Sequence, residues 1–445
     1  MSREHRIRRT GRAGPVRPRP RVAGGLRGWQ APGCAALLFA ALAGCSDHRP
    51  GTSELSSATA LAAGGSGGVQ IVENPGARWG GGLPWRVAAA PALEIGAGGS
   101  DGEAGQLHGV QNAIRLEDGA IAIAEGGANR IRIYDRSGRH VRDLGRSGGG
   151  PGEFRMLAGI GTVDGRSIAA WDARRKRITH FDPDGRVIRE VAADARHPLG
   201  LVSPVVGWFA DGTPVITPGA GARDLLAMEP GERRASEPYL HVRLDGGLDT
   251  VAVLRGQEEF VIRQGPSLST RPLPFGRASH GAAGADVFFG GESDRFEIRQ
   301  WSPSGELLRV IRAAIGPRPV TREHLARYEE ERQKAGQRRG RLTALLGAFS
   351  AAAAAGPEEA ELPHRETLPF FDRILVDRSG HLWVKEFGFD SEPGRWQVFA
   401  PDGAWLGALS TPAGLRVTDI GRDYVLGVVS DSLGVERVRL YALER

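Results

Sequence analysis

The stretch RIRIYDRSGR, residues 130–139, alternates basic and apolar positions as far as Tyr134 and then meets Asp, Ser and Gly. Alternation with a period of two places successive side chains on opposite faces of a strand, and a Ser-Gly step tolerates the positive φ of a tight hairpin. The arrangement returns in RITHFDPDGR (177–186), IRQWSPSGEL (298–307) and RWQVFAPDGA (395–404). In each, an aromatic residue precedes a glycine by four: Tyr134 and Gly138, Phe181 and Gly185, Trp301 and Gly305, Phe399 and Gly403. A second set of turns lies upstream, in LEDGAIAIAE (116–125), TVDGRSIAAWD (162–172), FADGTPVIT (209–217) and VDRSGHLWVKE (376–386). Joined, residues 110–144 read as strand, DG turn, strand, EGGAN loop, strand, SG turn and strand, which is a four-stranded antiparallel meander.

The unit recurs after 47 residues between Tyr134 and Phe181, and repeats of roughly 40–50 residues are the length of a propeller blade. The expected fold is therefore all-β: a six-bladed β-propeller of four-stranded antiparallel blades over residues 69–445. The blades are read as 108–146, 153–192, 200–255, 276–313 and 368–409, with a sixth over 413–443 that supplies only three strands. The third is the least regular, because HVRLDGGLDT matches weakly and a long loop is expected near 218–238. WRVAAAPALEIG (85–96) has no hairpin partner of its own, and as the missing strand of the last blade it closes the ring and removes an open edge. The many glycines and prolines, 65 and 28, suit such a chain, because both residues belong in turns rather than helix interiors. The Gly-rich LGRSGGGPGEF (144–154) lacks the Gly-Lys-Ser/Thr ending of a phosphate loop and reads as the crossover from the rim of blade 1 to the axis of blade 2.

Residues 317–366 interrupt the pattern with charged and alanine-rich runs. Two helices separated near Gly336 are expected here between blades 4 and 5, with Thr321 as a cap. Two readings of this helical insertion stay open: a decoration of the propeller rim packed by Leu342, Leu345, Leu346 and Phe349, or a partner-binding surface or lid.

The formal charge of +6 is concentrated at the start of the chain, where residues 1–44 hold nine arginines and one acid, Glu4. The remainder is near neutral, so a nucleic-acid partner is not expected. The arginine block leads into CAALLFAALAG (34–44), an apolar run too short to span a bilayer, followed by Cys45. LAGC (42–45) resembles the bacterial lipobox. Residues 1–44 are accordingly expected to be a lipoprotein signal peptide, Cys45 the lipidated residue, and residues 45–68 a flexible tether. Cys34 and Cys45 are the only cysteines, so the exported chain is expected to hold no disulfide. Ser46 follows the lipidation site where many lipoproteins retained at the inner membrane carry aspartate, and this resemblance favours the outer membrane.

GGGPGEF, WRVAAAPALEIG, EGGANRIRIYD and WDARRKRITHFD together resemble the six-bladed propeller family related to NHL repeats, common among bacterial exported lipoproteins. The likeness covers residues 70–445 outside the insertion. It implies a fold and leaves function open, since propellers serve as scaffolds, receptors, lactonases and lyases.

Ligands of such propellers usually lie over the central channel. The loops that reach it contain Glu125, Asn129, Asp172, Arg174, Glu292, Asp294, Glu386 and Asp390, together with His108, Glu153, His280 and Asp372. Carboxylates of this kind hold Ca²⁺ or another divalent metal, or position a base. They also cap loops by accepting backbone N–H bonds. Arg130, Arg177, Arg295 and Arg395, which open the third strands, are expected to pair with these acids. The 11 histidines form neither HxH nor HExxH, and no G-x-S-x-G elbow occurs, so neither a metal-histidine lyase nor a serine hydrolase has a motif. The expected role is a non-enzymatic, monomeric envelope module without a cofactor that binds a protein or an extracellular ligand such as a glycan. The alternative is a divalent-metal hydrolase of lactonase type, with Glu125, Asp172 or Asp372 among the ligands.

Overall fold

The turn that ends each third strand sets the pattern of the molecule. After Tyr134, Asp135 N–H donates to Arg139 O and Gly138 N–H to Asp135 O, both at 2.9 Å, while the Asp135 carboxylate accepts the Ser137 and Arg139 amides. Gly138 has φ 82°, and Gly185, Gly305 and Gly403 have φ 84°, 91° and 88°, a left-handed conformation that only glycine adopts without steric cost. The pairing shifts register at each aromatic residue, which turns Tyr134, Phe181, Trp301 and Phe399 into the core, where all four are buried. HVRLDGGLDT makes the same turn around Gly246, with Val242 in the aromatic position.

The computed structural model describes residues 68–81, 84–96, 105–194, 196, 199–200, 203–219, 228–264, 267–346 and 362–445. The expected signal peptide, Cys45 and all of the expected tether but its last residue lie outside them. Within the unit Ala63–Arg445 the strands run as follows. Three short strands come first, β1 (Gln70–Asn74), β2 (Arg86–Val87) and β3 (Leu93–Ile95), with a 3-10 turn at Arg78–Gly81 between the first two. The first meander is β4 (Val110–Arg115), β5 (Ile121–Glu125), β6 (Arg130–Tyr134) and β7 (His140–Leu144). The second is β8 (Leu157–Val163), β9 (Ser167–Asp172), β10 (Arg177–Phe181) and β11 (Val187–Ala192). The third has five strands, β12 (Val205–Trp208), β13 (Pro214–Ile216), β14 (Gly231–Val242), β15 (Leu248–Gln264) and β16 (Ser267–Pro272). The fourth is β17 (Ser279–Gly284), β18 (Val287–Glu292), β19 (Glu297–Trp301) and β20 (Leu307–Ala313). Helix α1 (Arg322–Leu346) precedes the fifth, β21 (Phe371–Val376), β22 (Leu382–Glu386), β23 (Gly394–Phe399) and β24 (Trp405–Thr411). The last set is β25 (Arg416–Ile420), β26 (Tyr424–Ser430) and β27 (Glu436–Glu444).

The architecture is nearly all-β, made of antiparallel meanders consistent with a propeller. Buried side chains fill each seam between consecutive meanders. Ile131 and Ile133 meet Phe154 and Ile160 between the first and second, and Trp171 and Ile178 meet Ile216 and Leu240 at the next seam. Tyr239 and Leu254 then meet Phe288 and Trp301, and Ile298 and Ile311 meet Phe371 and Val384. Trp383 and Trp396 meet Val417 and Tyr441, while Tyr424, Leu426 and Val438 pack on Val110, Ile123 and Tyr134 of the first meander. The segment expected as the missing strand lies beside β27, which pairs with β2 through Arg86 and Val87 and with β3 through Leu93, Glu94 and Ile95.

Three features differ from the reading of the sequence. The third sheet extends to Pro272 rather than 255, because β14 starts at Gly231, inside the segment expected as a loop, and β15 runs on to pair with β16. Gln70–Asn74 forms a parallel strand on β20, so the segment after the expected tether covers an edge of the fourth sheet. The helix passes through Gly336 without a break; a glycine costs a helix only about 1 kcal/mol, and its neighbours are good helix formers.

Thr321 caps α1 as expected: its Oγ1 accepts His324 N–H at 3.3 Å, and its own N–H donates to His324 Nδ1 at 3.0 Å. Leu342, Leu345, Leu346 and Phe349 fall outside the residues whose side chains are described. The packing that is described comes from Leu325 and Tyr328, which lie with Val320 on a buried cluster of Phe275, Leu368 and Phe389. The phenylalanines stand in the loops leading into β17 and between β22 and β23, so the start of the helix docks on those two loops. The two ends of the insertion are tied together, with Val320 N–H donating to Glu366 O at 2.7 Å and Leu368 N–H to Arg318 O at 2.8 Å.

Candidate functional site

The first strand of every meander borders a central cavity of about 330 Å³. Its wall takes Asn112 from β4, Gly159 and Thr162 from β8, Val205 and Trp208 from β12, Ala282 and Ala283 from β17, Arg373 from β21 and Thr418 from β25. Five of these six strands carry a register shift, between Val110 and Asn112, Leu157 and Gly159, Val205 and Gly207, Phe371 and Arg373, and Val417 and Asp419. Such bulges twist a strand and re-aim its side chains, and their repetition here gives the cavity its lining. Small residues dominate that lining because the strands converge.

The polar groups of the wall are mostly engaged. Asn112 straps β4 to β8, donating from Nδ2 to Ile160 O at 2.8 Å and accepting Ile160 N–H at 3.0 Å. Thr418 Oγ1 donates to Ala113 O at 2.8 Å. At the opposite end from Arg373, Arg378 pairs with Asp419 at 2.9 Å, and Asp377 is held by Ser379 N–H, His381 and Arg445. Two groups differ. Thr162 Oγ1 is buried without a hydrogen-bond partner among the described residues. Arg373 lines the cavity, and among the described residues its guanidinium makes neither a hydrogen bond nor an ion pair.

The acids singled out from the sequence have other occupations. Glu125 is fully buried; it accepts His108 N–H at 2.9 Å and pairs with Arg130 at 2.6 Å and Arg132 at 3.3 Å. Asp172, also fully buried, accepts four amides, from Arg155, Met156, Arg174 and Arg175, at 2.8–3.2 Å. Asp372 pairs with Lys385 at 2.7 Å, and burial raises its pKa above the usual carboxylate range. These three stand on the first, second and fifth sheets. Among the described residues no three His, Cys, Asp or Glu side chains gather into a set able to hold a metal ion, and each carboxylate of this trio already accepts from protein donors.

Most of the remaining carboxylate and amide candidates follow the same rule; Asp390 instead acts on Arg373 through its charge. Asn129 Oδ1 accepts Leu157 N–H at 3.0 Å, Glu292 pairs with Arg255 at 2.8 Å and Asp294 with Arg234 at 2.7 Å. Two of the strand-opening arginines meet expected acids, Arg130 with Glu125 and Arg395 with Glu386 at 3.0 Å. Arg177 pairs instead with Glu190 at 2.9 Å and Arg295 with Glu297 at 3.0 Å. Glu153 stays inside its own crossover, accepting the Gly149 and Gly150 amides at 2.8 and 2.7 Å and pairing with Arg146. The glycine-rich loop is an anion cradle whose anion is its own carboxylate. His280 stands near Arg373 and Lys385; burial first, then these two charges, push its pKa down to about 4.

Arg373 was missed beside Asp372. The available signal was FFDRILV, where a charged pair interrupts an otherwise apolar first strand.

No family model matches the chain, and no curated protein matches it. Among solved structures, a Bacteroides fragilis protein described as a candidate exported protein is similar, with 10% identity over 85% of this chain and 99% of that one and a TM-score of 0.41. Virginiamycin B lyase from Staphylococcus aureus shares 10% identity over 81% of this chain and 100% of its own, with a TM-score of 0.36. A gluconolactonase from Xanthomonas campestris shares 13% over 81% and 98%, also with a TM-score of 0.36. At these values the likeness carries no argument about activity or ligand.

Proposed function

We propose that the chain is an exported, lipid-anchored propeller of six blades, closed by its N-terminal strand, that binds a small extracellular ligand such as a glycan in its central channel. The leader and LAGC (42–45) support export and attachment through Cys45, and Ser46 favours the outer membrane. Six filled seams and the pairing of β3 with β27 support a closed ring. The observation that carries the binding role is the cavity itself: it takes wall residues from all six first strands, while the acids that would serve chemistry are each held by arginine, lysine or backbone amides. Binding without catalysis needs shape and a few donors, which the wall supplies.

Gly159→Met tests this reading. A Cβ at Gly159 meets Asn112 Oδ1 and Val205 Cβ at 3.6 Å, ordinary contacts, so the longer side chain fills the channel without displacing backbone. On an array of neutral and acidic envelope glycans the wild-type chain is expected to retain ligand and the variant to lose it at least tenfold, with little change in melting temperature. Equal retention by a folded variant contradicts a channel site.

A further inference from the structure

Arg373 is the one cation on the cavity wall without a partner among the described residues; the other, Arg378, is neutralised by Asp419 at 2.9 Å. Its surroundings sharpen the imbalance. The adjacent acid, Asp372, is taken by Lys385 at 2.7 Å and by Gly388 N–H. Arg416, on the neighbouring β25, donates to Val110 O at 2.6 Å and Gln111 O at 2.7 Å, so carbonyls rather than a carboxylate receive its charge. His280 is held neutral at neutral pH. Burial, reinforced by repulsion from Arg416, lowers the Arg373 pKa to about 10, which still leaves the group charged at physiological pH. Asp372 and Asp390 attract Arg373 without an ion pair to either, and a half-buried charge that no counter-ion touches is costly and is retained where something else supplies the contact.

We propose that the channel binds a small ligand bearing a carboxylate, with Arg373 as the group that pairs with it. The inference rests on the channel reading above and names the chemical class it takes. A guanidinium offers two parallel N–H donors that match a carboxylate bidentately, and the donors of Arg373 have no acceptor among the described residues. The cavity, about 330 Å³, lies at the small end of ligand pockets and fits a single sugar-sized unit. Thr162 Oγ1, buried on the same wall without a partner among the described residues, supplies a hydroxyl for a neutral polar group of that ligand.

Calorimetric titration of the full chain in detergent with D-glucuronate, D-glucose and inorganic phosphate tests the proposal. Glucuronate is expected to bind at least tenfold more tightly than glucose and phosphate. Arg373→Gln is expected to lose at least tenfold of the glucuronate affinity, with part of it restored in Arg373→Lys. A second readout separates binding from a structural role: without ligand, Arg373→Gln should melt at or above the wild-type temperature, because a half-buried charge with no contacting partner has been removed. A clearly lower melting temperature, tighter binding of phosphate, or no binding of glucuronate overturns the proposal. Equal binding of glucose and glucuronate, both lost in Gly159→Met, overturns the carboxylate assignment while the channel reading stands. Binding unchanged in Gly159→Met removes the channel reading itself.

Discussion

Asp172 shows what the acids at the strand ends do. Its carboxylate ties the loop leading into β8, through Arg155 and Met156, to the β9–β10 loop, through Arg174 and Arg175. Replacing it with alanine orphans these amides, and Asp172→Ala is expected to cost about 3 kcal/mol in denaturant unfolding, against about 1 kcal/mol for Asp172→Asn, which keeps one acceptor oxygen. Glu153 plays the same part in the crossover, where the Gly150 amide, Arg146 and the Gly149 amide lower its pKa from 4.5 to about 2. Its folded value lies below the unfolded one, so its contribution is complete above pH 4.5 and disappears as the pH falls toward 2. Melting curves of wild type and Glu153→Gln should therefore differ above pH 4.5 and converge by pH 2; a constant difference across that range contradicts the assignment. Asp and Glu beside Gly-rich loops were legible as caps or ligands in the sequence, but only the positions of the donors separate the two roles.

Among the elements, the hairpins were the most readable, because their cause is local. An aromatic residue, a turn and a glycine four positions on specify both the positive φ and the register shift that buries the ring. Long-range pairings left no such signal: β1 joins β20 across 239 residues, Gln70 to Arg309, and QIVEN is too short for its partner to be inferred. The extension of β15 to pair with β16 was hidden for a related reason, since polar and apolar residues mix in an arm that stands partly in solvent. The insertion was recognisable as helical, yet its docking depends on Phe275 and Phe389, contributed by two loops far apart in the chain. Because its ends are joined through Val320 and Glu366, excising 322–364 and linking Thr321 to Arg365 with two glycines should leave the sheets folded. Losing the cover of Leu325 and Tyr328 over Phe275 and Phe389 is expected to cost roughly 2–4 kcal/mol. Retained strand signal with a single lowered thermal transition supports this account, and loss of cooperative unfolding contradicts it.

For the whole molecule, the proposed channel site depends on the proposed closure of the ring by a strand from the other end of the chain. The pattern of meanders and the place of WRVAAAPALEIG beside β27 followed from counting strands, since three strands at one end and one unpaired strand at the other have a single economical solution. The wall of the channel did not follow, because it is built from bulged first strands whose side-chain directions depend on all six meanders together. Glu94 and Arg439 face each other across β3 and β27 and pair at 2.5 Å. The most direct test replaces both with cysteine, Glu94→Cys and Arg439→Cys, in a chain whose own cysteines, Cys34 and Cys45, lie before residue 68. Under oxidation, non-reducing electrophoresis and peptide mapping should show an intramolecular 94–439 disulfide in nearly all molecules, with a raised melting temperature. Free thiols at both positions, or disulfides only between chains, would contradict the closed ring.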